Sequence, residues 1–86
     1  MNIKTYEFGD ELDSEEAVEI VKEEIPKEGY AMIFVQYEDN NFTLFKGTKD
    51  EIEQEMMNLL ESMYEHNEML TFKDGKAVEW HIRLDG

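Results

Sequence analysis

The sequence predicts an α+β fold, a two-layer sandwich with two helices on one face of an antiparallel-rich sheet. Three observations carry that prediction. Apolar residues alternate with period two in five stretches and recur with helical spacing in two others, in the order β-α-β-β-α-β-β. Short clusters of Gly, Pro, Asn and Asp separate them. No linker, repeat or low-complexity segment interrupts the 86 residues, which read as a single domain spanning 1–86.

Ile3 to Phe8 alternates as a strand, with Ile3, Thr5 and Glu7 on one side and Lys4, Tyr6 and Phe8 on the other. Gly9 and Asp10 break it. Asp13, three residues before Glu16, is an aspartate version of the capping box, and Leu12 is placed as its hydrophobic staple. The helix that follows presents Ala17, Val18, Val21 and Ile25 on one stripe. Pro26 ends it, because the residue before a proline is pushed out of helical geometry.

Tyr30 to Glu38 is a long aromatic and β-branched strand. Ala31, Ile33, Val35 and Tyr37 point one way, and Tyr30, Met32 and Phe34 the other. A strand apolar on both sides is central and covered on both faces. Asp39-Asn40-Asn41 supplies the turn to a return strand, Phe42 to Lys46. Thr48 with Glu51 forms a second capping box and opens a long helix to about His66. Its stripe is Ile52, Met56, Leu59, Leu60 and Met63, with Tyr64 at the margin. Met69 to Lys73 and Lys76 to Leu84 flank Asp74-Gly75, a strong hairpin signal. In the last strand Val78, Trp80, Ile82 and Leu84 are expected inward, and Glu79, His81 and Arg83 outward. Two βαβ-like crossovers around a hairpin resemble a ferredoxin-like sandwich with one strand added.

Helices on one face leave the other face of the sheet open. Tyr30, Met32 and Phe34 are therefore expected to line a dimer contact, a second copy being the commonest cover for such a face.

Composition narrows the function. Twenty-two Asp and Glu against eight Lys and Arg give a formal charge of −14. Such a chain does not grip nucleic acid through its phosphates and is repelled by anionic membranes. Hydrophobic residues at 41% exclude a disordered acidic tail. The absence of cysteine excludes disulfides, thiolate metal sites and thiol nucleophiles. No signal peptide or membrane-length apolar run is visible, so a soluble cytoplasmic protein is expected.

The charge is unevenly spread. Residues 1–28 hold ten acids and three bases, a net of −7, and residues 51–70 hold six acids and no base. Residues 29–50 carry a net of −1, and the last sixteen balance at three and three. The acids avoid the apolar stripes. Glu15, Glu16, Glu19, Glu23 and Glu24 belong to the first helix, and Glu51, Glu55, Glu61, Glu65 and Glu68 to the second. Like charges at i,i+4 cost a helix about 0.2–0.5 kcal/mol per pair, so stability does not explain them. Duplex DNA carries about one charge per 1.7 Å of axis. Five glutamates over a helical rise of about 13.5 Å approach that density. Two such helices about 8–10 Å apart would offer paired acidic rows.

In size, charge and helix-borne carboxylates, chiefly over Asp10 to Glu28 and Glu51 to Glu68, the chain resembles the acidic DNA-mimic proteins with which bacteriophages disarm host DNA-binding proteins. More narrowly, it is similar to host-takeover proteins of Bacillus phages that inhibit the nucleoid-associated protein HU. The resemblance implies a non-enzymatic inhibitor that occupies a basic DNA-binding surface in the host nucleoid, with those ten carboxylates as the contact and no cofactor. Restriction enzymes, uracil-DNA glycosylase, CRISPR nucleases and transcription factors fit the same physics.

Other chemistries find little support. His66 and His81 read as surface residues, and Ser14 and Ser62 sit in no nucleophile motif. Asp10, Glu11, Asp13, Glu15 and Glu16 lack calcium-loop spacing, so no metal site is expected. An acyl-carrier role fails because Asp13-Ser14 is followed by Glu15 and the chain has strands. Met32, Met56, Met63 and Met69 read as core filling, with Met57 exposed. The remaining rival is an acidic adaptor or regulatory domain that binds a protein partner through its open sheet face.

Overall fold

The computed structural model describes residues 1–9, 12–62 and 67–83. Within them the elements follow the predicted order. They are β1 (Asn2–Glu7), α1 (Ser14–Val21), β2 (Tyr30–Gln36), β3 (Asn41–Gly47), α2 (Lys49–Ser62), β4 (Asn67–Lys73) and β5 (Lys76–Arg83). The expectations placed on Asp10, Glu11, Met63, Tyr64, Glu65, His66 and Leu84 lie outside the described residues.

Local chemistry starts both helices as expected. The Asp13 carboxylate accepts the Glu16 amide at 2.8 Å and caps α1. Before α2, Glu51 accepts the Thr48 amide at 2.9 Å and Thr48 accepts the Glu51 amide at 3.2 Å, a reciprocal capping box. α1 is shorter than its stripe suggested. It closes at Val21, and the Glu24 amide bonds back to the Val21 carbonyl in a tightened turn before Pro26. Asp74 and Gly75 both take positive φ, 52° and 83°, which a two-residue hairpin turn of this hand requires. That turn is clasped to the α1–β2 connection, where Asp74 and Gly29 exchange hydrogen bonds of 2.8 and 2.9 Å.

The five strands form one antiparallel sheet in the order β1-β3-β2-β4-β5. β4 lies beside β2, whereas a ferredoxin-like sheet would return it to the side of β1. This changes the layers. Each connection, β1-α1-β2 and β3-α2-β4, steps over one strand in the same direction across the sheet. They start on antiparallel strands, however, so two crossovers of one hand fall on opposite faces. The expectation of two helices on one face is thus corrected to one helix on each.

Two cores result. α1 buries Ala17, Val21 and Ile25 against Ala31, Ile33, Val35, Phe42, Leu44 and Phe72. α2 buries Ile52 against Met32, Phe34, Phe45 and Met69, with Met56 and Leu59 half-buried beside them. Met32 and Phe34 are 0% and 6% exposed, because α2 fills the face that was expected to be open. They are unavailable for the dimer contact assigned to them, and Tyr30 is half-buried at the same core's margin.

α1 lies on the path over β3, and α2 on the path over β2. Neither path reaches β5. Trp80 and Ile82, paired with Leu70 and Glu68, lie on the face that carries α1 but beyond its cover, Val78 falls at the bulge opposite Phe72, and Val78, Trp80 and Ile82 are 52%, 64% and 47% exposed. Their predicted inward placement is corrected for that reason.

Ile52 is the only α2 residue that is fully buried among those described. Ile52→Ala should lower unfolding free energy by about 2–5 kcal/mol. Met57→Ala, on the exposed side of α2, should change it by less than about 0.5 kcal/mol. Urea denaturation followed by circular dichroism measures both, and equal effects would contradict the packing described.

Candidate functional site

The acidic residues divide into four environments. Glu15, Glu16 and Glu19 are exposed on α1, and Glu23 is exposed in the turn that follows it. Glu19 pairs with Lys22 at 3.3 Å. Among the described residues, no cation lies within bridging distance of Glu15, Glu16 or Glu23. Glu24 is tied down. It accepts the Tyr6 hydroxyl and lies 3.9 Å from the Lys4 ammonium, so it closes α1 onto β1. Burial first, then this bond to a carboxylate, raises the Tyr6 hydroxyl above the usual phenol range.

On α2, Glu51 is used in the capping box and also meets the N-terminal ammonium at 3.2 Å. The Thr48 amide foremost, and then that ammonium, hold its carboxyl below the usual range. Glu53 pairs with Lys49 at 3.9 Å. Glu55 is half-buried and Glu61 exposed, neither within reach of a cation among the described residues. Glu65 lies outside the described residues.

Glu68 departs furthest from expectation. The described part of α2 runs to Ser62, and Glu68 lies on β4, 4% exposed, on the sheet face that carries α1. It extends no helical row. Its carboxylate accepts the Tyr37 hydroxyl and the Trp80 indole N–H, each at 2.7 Å. Two short charge-assisted bonds satisfy a carboxylate that would otherwise be costly to bury. Burial chiefly, and then Glu68, raise the Tyr37 hydroxyl far above the usual phenol range. The Trp80 ring is thereby anchored at its nitrogen while most of its surface faces solvent.

The paired acidic rows are corrected in the same way. With the sheet between α1 and α2, a single chain does not place their carboxylates side by side. The α1 row instead borders an apolar groove of about 350 Å³. Glu15, Val18 and Glu19 form one wall, and Leu70, Phe72 and Ala77 lie across from them. Acid and apolar surface therefore meet along the α1–β5 side of the molecule.

Sequence reasoning missed the Tyr37–Glu68–Trp80 cluster. A signal was present, since Glu68 directly precedes the apolar run Met69-Leu70. Reading that acid as the end of a helical row hid its place in the strand. Among the described residues, no group of three or more His, Asp or Glu side chains is placed to hold a metal ion, and no helix is long and apolar enough to cross a membrane. Comparison with protein-family models, curated proteins and solved structures finds no match to this chain.

The cluster has a signed pH consequence. The folded state holds Tyr37 protonated beyond the point where the unfolded chain releases its proton. Its contribution to stability is complete below about pH 10 and is lost as pH rises above it. Alkaline denaturation should therefore be shallower in Tyr37→Phe than in the parent. Glu68→Ala, which strands both donors, should cost about 1–3 kcal/mol at pH 7. Thermal melts from pH 7 to pH 11 read both effects.

Proposed function

We propose that the protein is a DNA-mimic inhibitor, an acidic domain that occupies the basic DNA-binding surface of a host DNA-binding protein and blocks DNA binding. The observation that carries this reading is the row Glu15, Glu16, Glu19 and Glu23, which is exposed and almost unneutralised along one side of the molecule. Glu15 to Glu19 is a like-charge step of four residues within α1, which costs stability, and of the four acids only Glu19 has a cation partner among the described residues. Carboxylates on a folded scaffold meet a Lys- and Arg-rich groove without the ordering cost of a flexible acidic tail. The resemblance to phage inhibitors of HU makes that nucleoid protein the first target to test. α1 with its following turn is the leading contact, and the acids of α2 add long-range attraction from the other face.

A second reading is favoured by a different observation. The apolar stripe Val78, Trp80 and Ile82 is what an acidic adaptor would use to hold a protein partner through its sheet. The two readings differ in their response to salt. Binding through carboxylates weakens steeply with ionic strength, whereas an apolar contact barely responds.

Purified HU carrying a fluorescent DNA duplex provides the test. The protein is expected to displace the duplex at low salt and to lose most of its potency between about 50 mM and about 200 mM salt. Changing Glu15, Glu16, Glu19 and Glu23 together to Gln should raise the concentration needed at least about tenfold at low salt. The melting temperature should stay level or rise. Undiminished displacement by the fourfold variant would remove α1 as the contact. Failure of the parent to displace DNA at any salt would exclude HU as the target.

A further inference from the structure

β5 is the edge of the sheet beyond β4, and neither helix covers it. It is eight residues long and contains no proline; the bulge in its pairing with β4, opposite Thr71 and Phe72, falls in its first half and leaves Glu79 to Arg83 in regular register. We propose that β5 pairs with β5 of a second copy of this chain, antiparallel about a two-fold axis, so that two five-stranded sheets join into one.

The residue pattern of β5 suits a second copy, and charge does not bar it there. Two copies at −14 each repel over most of their surfaces. β5 is an exception, because Lys76 and Arg83 outnumber its single acid, Glu79. Pairing centred on Trp80 sets Glu79 opposite His81 of the partner subunit, and the two-fold axis repeats that contact. The Glu79 and His81 side chains already approach to 3.3 Å within one chain, on the face away from the stripe. On the other face the two Trp80 rings meet at the axis, and Ile82 of the partner subunit lies opposite the bulged Val78. An antiparallel pair with apolar partners on one side and a carboxylate facing an imidazole on the other is self-complementary, as a two-fold contact must be.

The Trp80 side chain is also prepared for such a contact. Its bond to Glu68 fixes the indole against the sheet before any partner arrives, which reduces the rotamer freedom lost on association. Buried tryptophan anchors with restricted rotamers are the side chains that dominate protein interfaces. β1, the opposite edge, offers less, since its one large exposed apolar residue is Ile3.

Such a pairing places both α1 helices on the same face of the joined sheet. α1 packs centrally on β2, with residues of β3 and β4 in the same core, so its copy would sit about five strand spacings away, or about 24 Å. Two acidic α1 rows would then share a face, an arrangement that one chain lacks. The pairing itself does not depend on the inhibitor reading and stands or falls separately from it.

Analytical ultracentrifugation of the protein alone, across micromolar to millimolar concentration, tests the proposal. The parent is expected to reach twice the chain mass. The single tryptophan should report the same transition by a blue shift of its emission as concentration rises. Val78→Lys with Ile82→Lys would set two like-charged pairs across the axis and should weaken association at least about tenfold. Ile3→Lys, on the far edge, should leave it unchanged. A parent that stays monomeric throughout, with constant tryptophan emission, overturns the proposal. So does a dimer that withstands the double substitution, or one that Ile3→Lys disrupts instead. The emission series on the unaltered protein decides the question even if the double variant fails to fold.

Discussion

β2 imposes the main constraint on this molecule, because five consecutive side chains, Ala31 through Val35, are all buried. A strand alternates its side chains between two faces, so both faces of β2 must be kept from water. Each large apolar side chain left bare would forfeit about 1.5–3 kcal/mol of burial. A chain of 86 residues with two helices meets that demand by placing one helix on each side. β4 beside β2 is the topological means, since it sends the second crossover to the face that the first one leaves open.

The charge distribution follows from the same arrangement. Each helix turns one stripe inward and the rest of its surface to solvent, so acids excluded from the cores collect on two opposite faces. α1 and its following turn present their carboxylates with little neutralisation, whereas Glu24 and Glu51 are drawn into contacts that hold the fold. The acidic inventory is thus partly structural and partly free. The free part includes Glu55 and Glu61 on α2 and Glu15, Glu16 and Glu23 along α1 and its turn, where Glu15 borders the apolar groove toward β4 and β5.

The Tyr37–Glu68–Trp80 cluster shows how the uncovered edge is organised. β5 lies outside the reach of either helix, yet its central aromatic residue is held by a buried carboxylate from β4. Tyr37, just beyond β2, supplies the second donor. One acid therefore ties together the end of β2, β4 and β5, and it fixes the orientation of a large exposed apolar ring. Rigid apolar surface on a neutral-to-basic strand contrasts with the acidic helices, and the two surfaces suit different partners.

Much of the fold was legible in local chemistry. The caps at Asp13 and Thr48, the Asp74-Gly75 turn, the two-sided apolar pattern of β2 and the order of the elements all depend on residues close in sequence. Such signals are readable because caps, turns and alternation act over a few residues. Where β4 docks is a long-range choice between two edges of a growing sheet, and periodicity carries no term that separates them. That single choice decided the positions of α1 and α2, the burial of Met32 and Phe34 and the exposure of Val78, Trp80 and Ile82. It also decided the fate of Glu68, which the chain alone presents as one more surface acid. The sequence by itself determined which segments form strands and helices and how acidic the helices are. Only the tertiary structure decided which acids face solvent, because burial depends on what a neighbouring strand or helix covers.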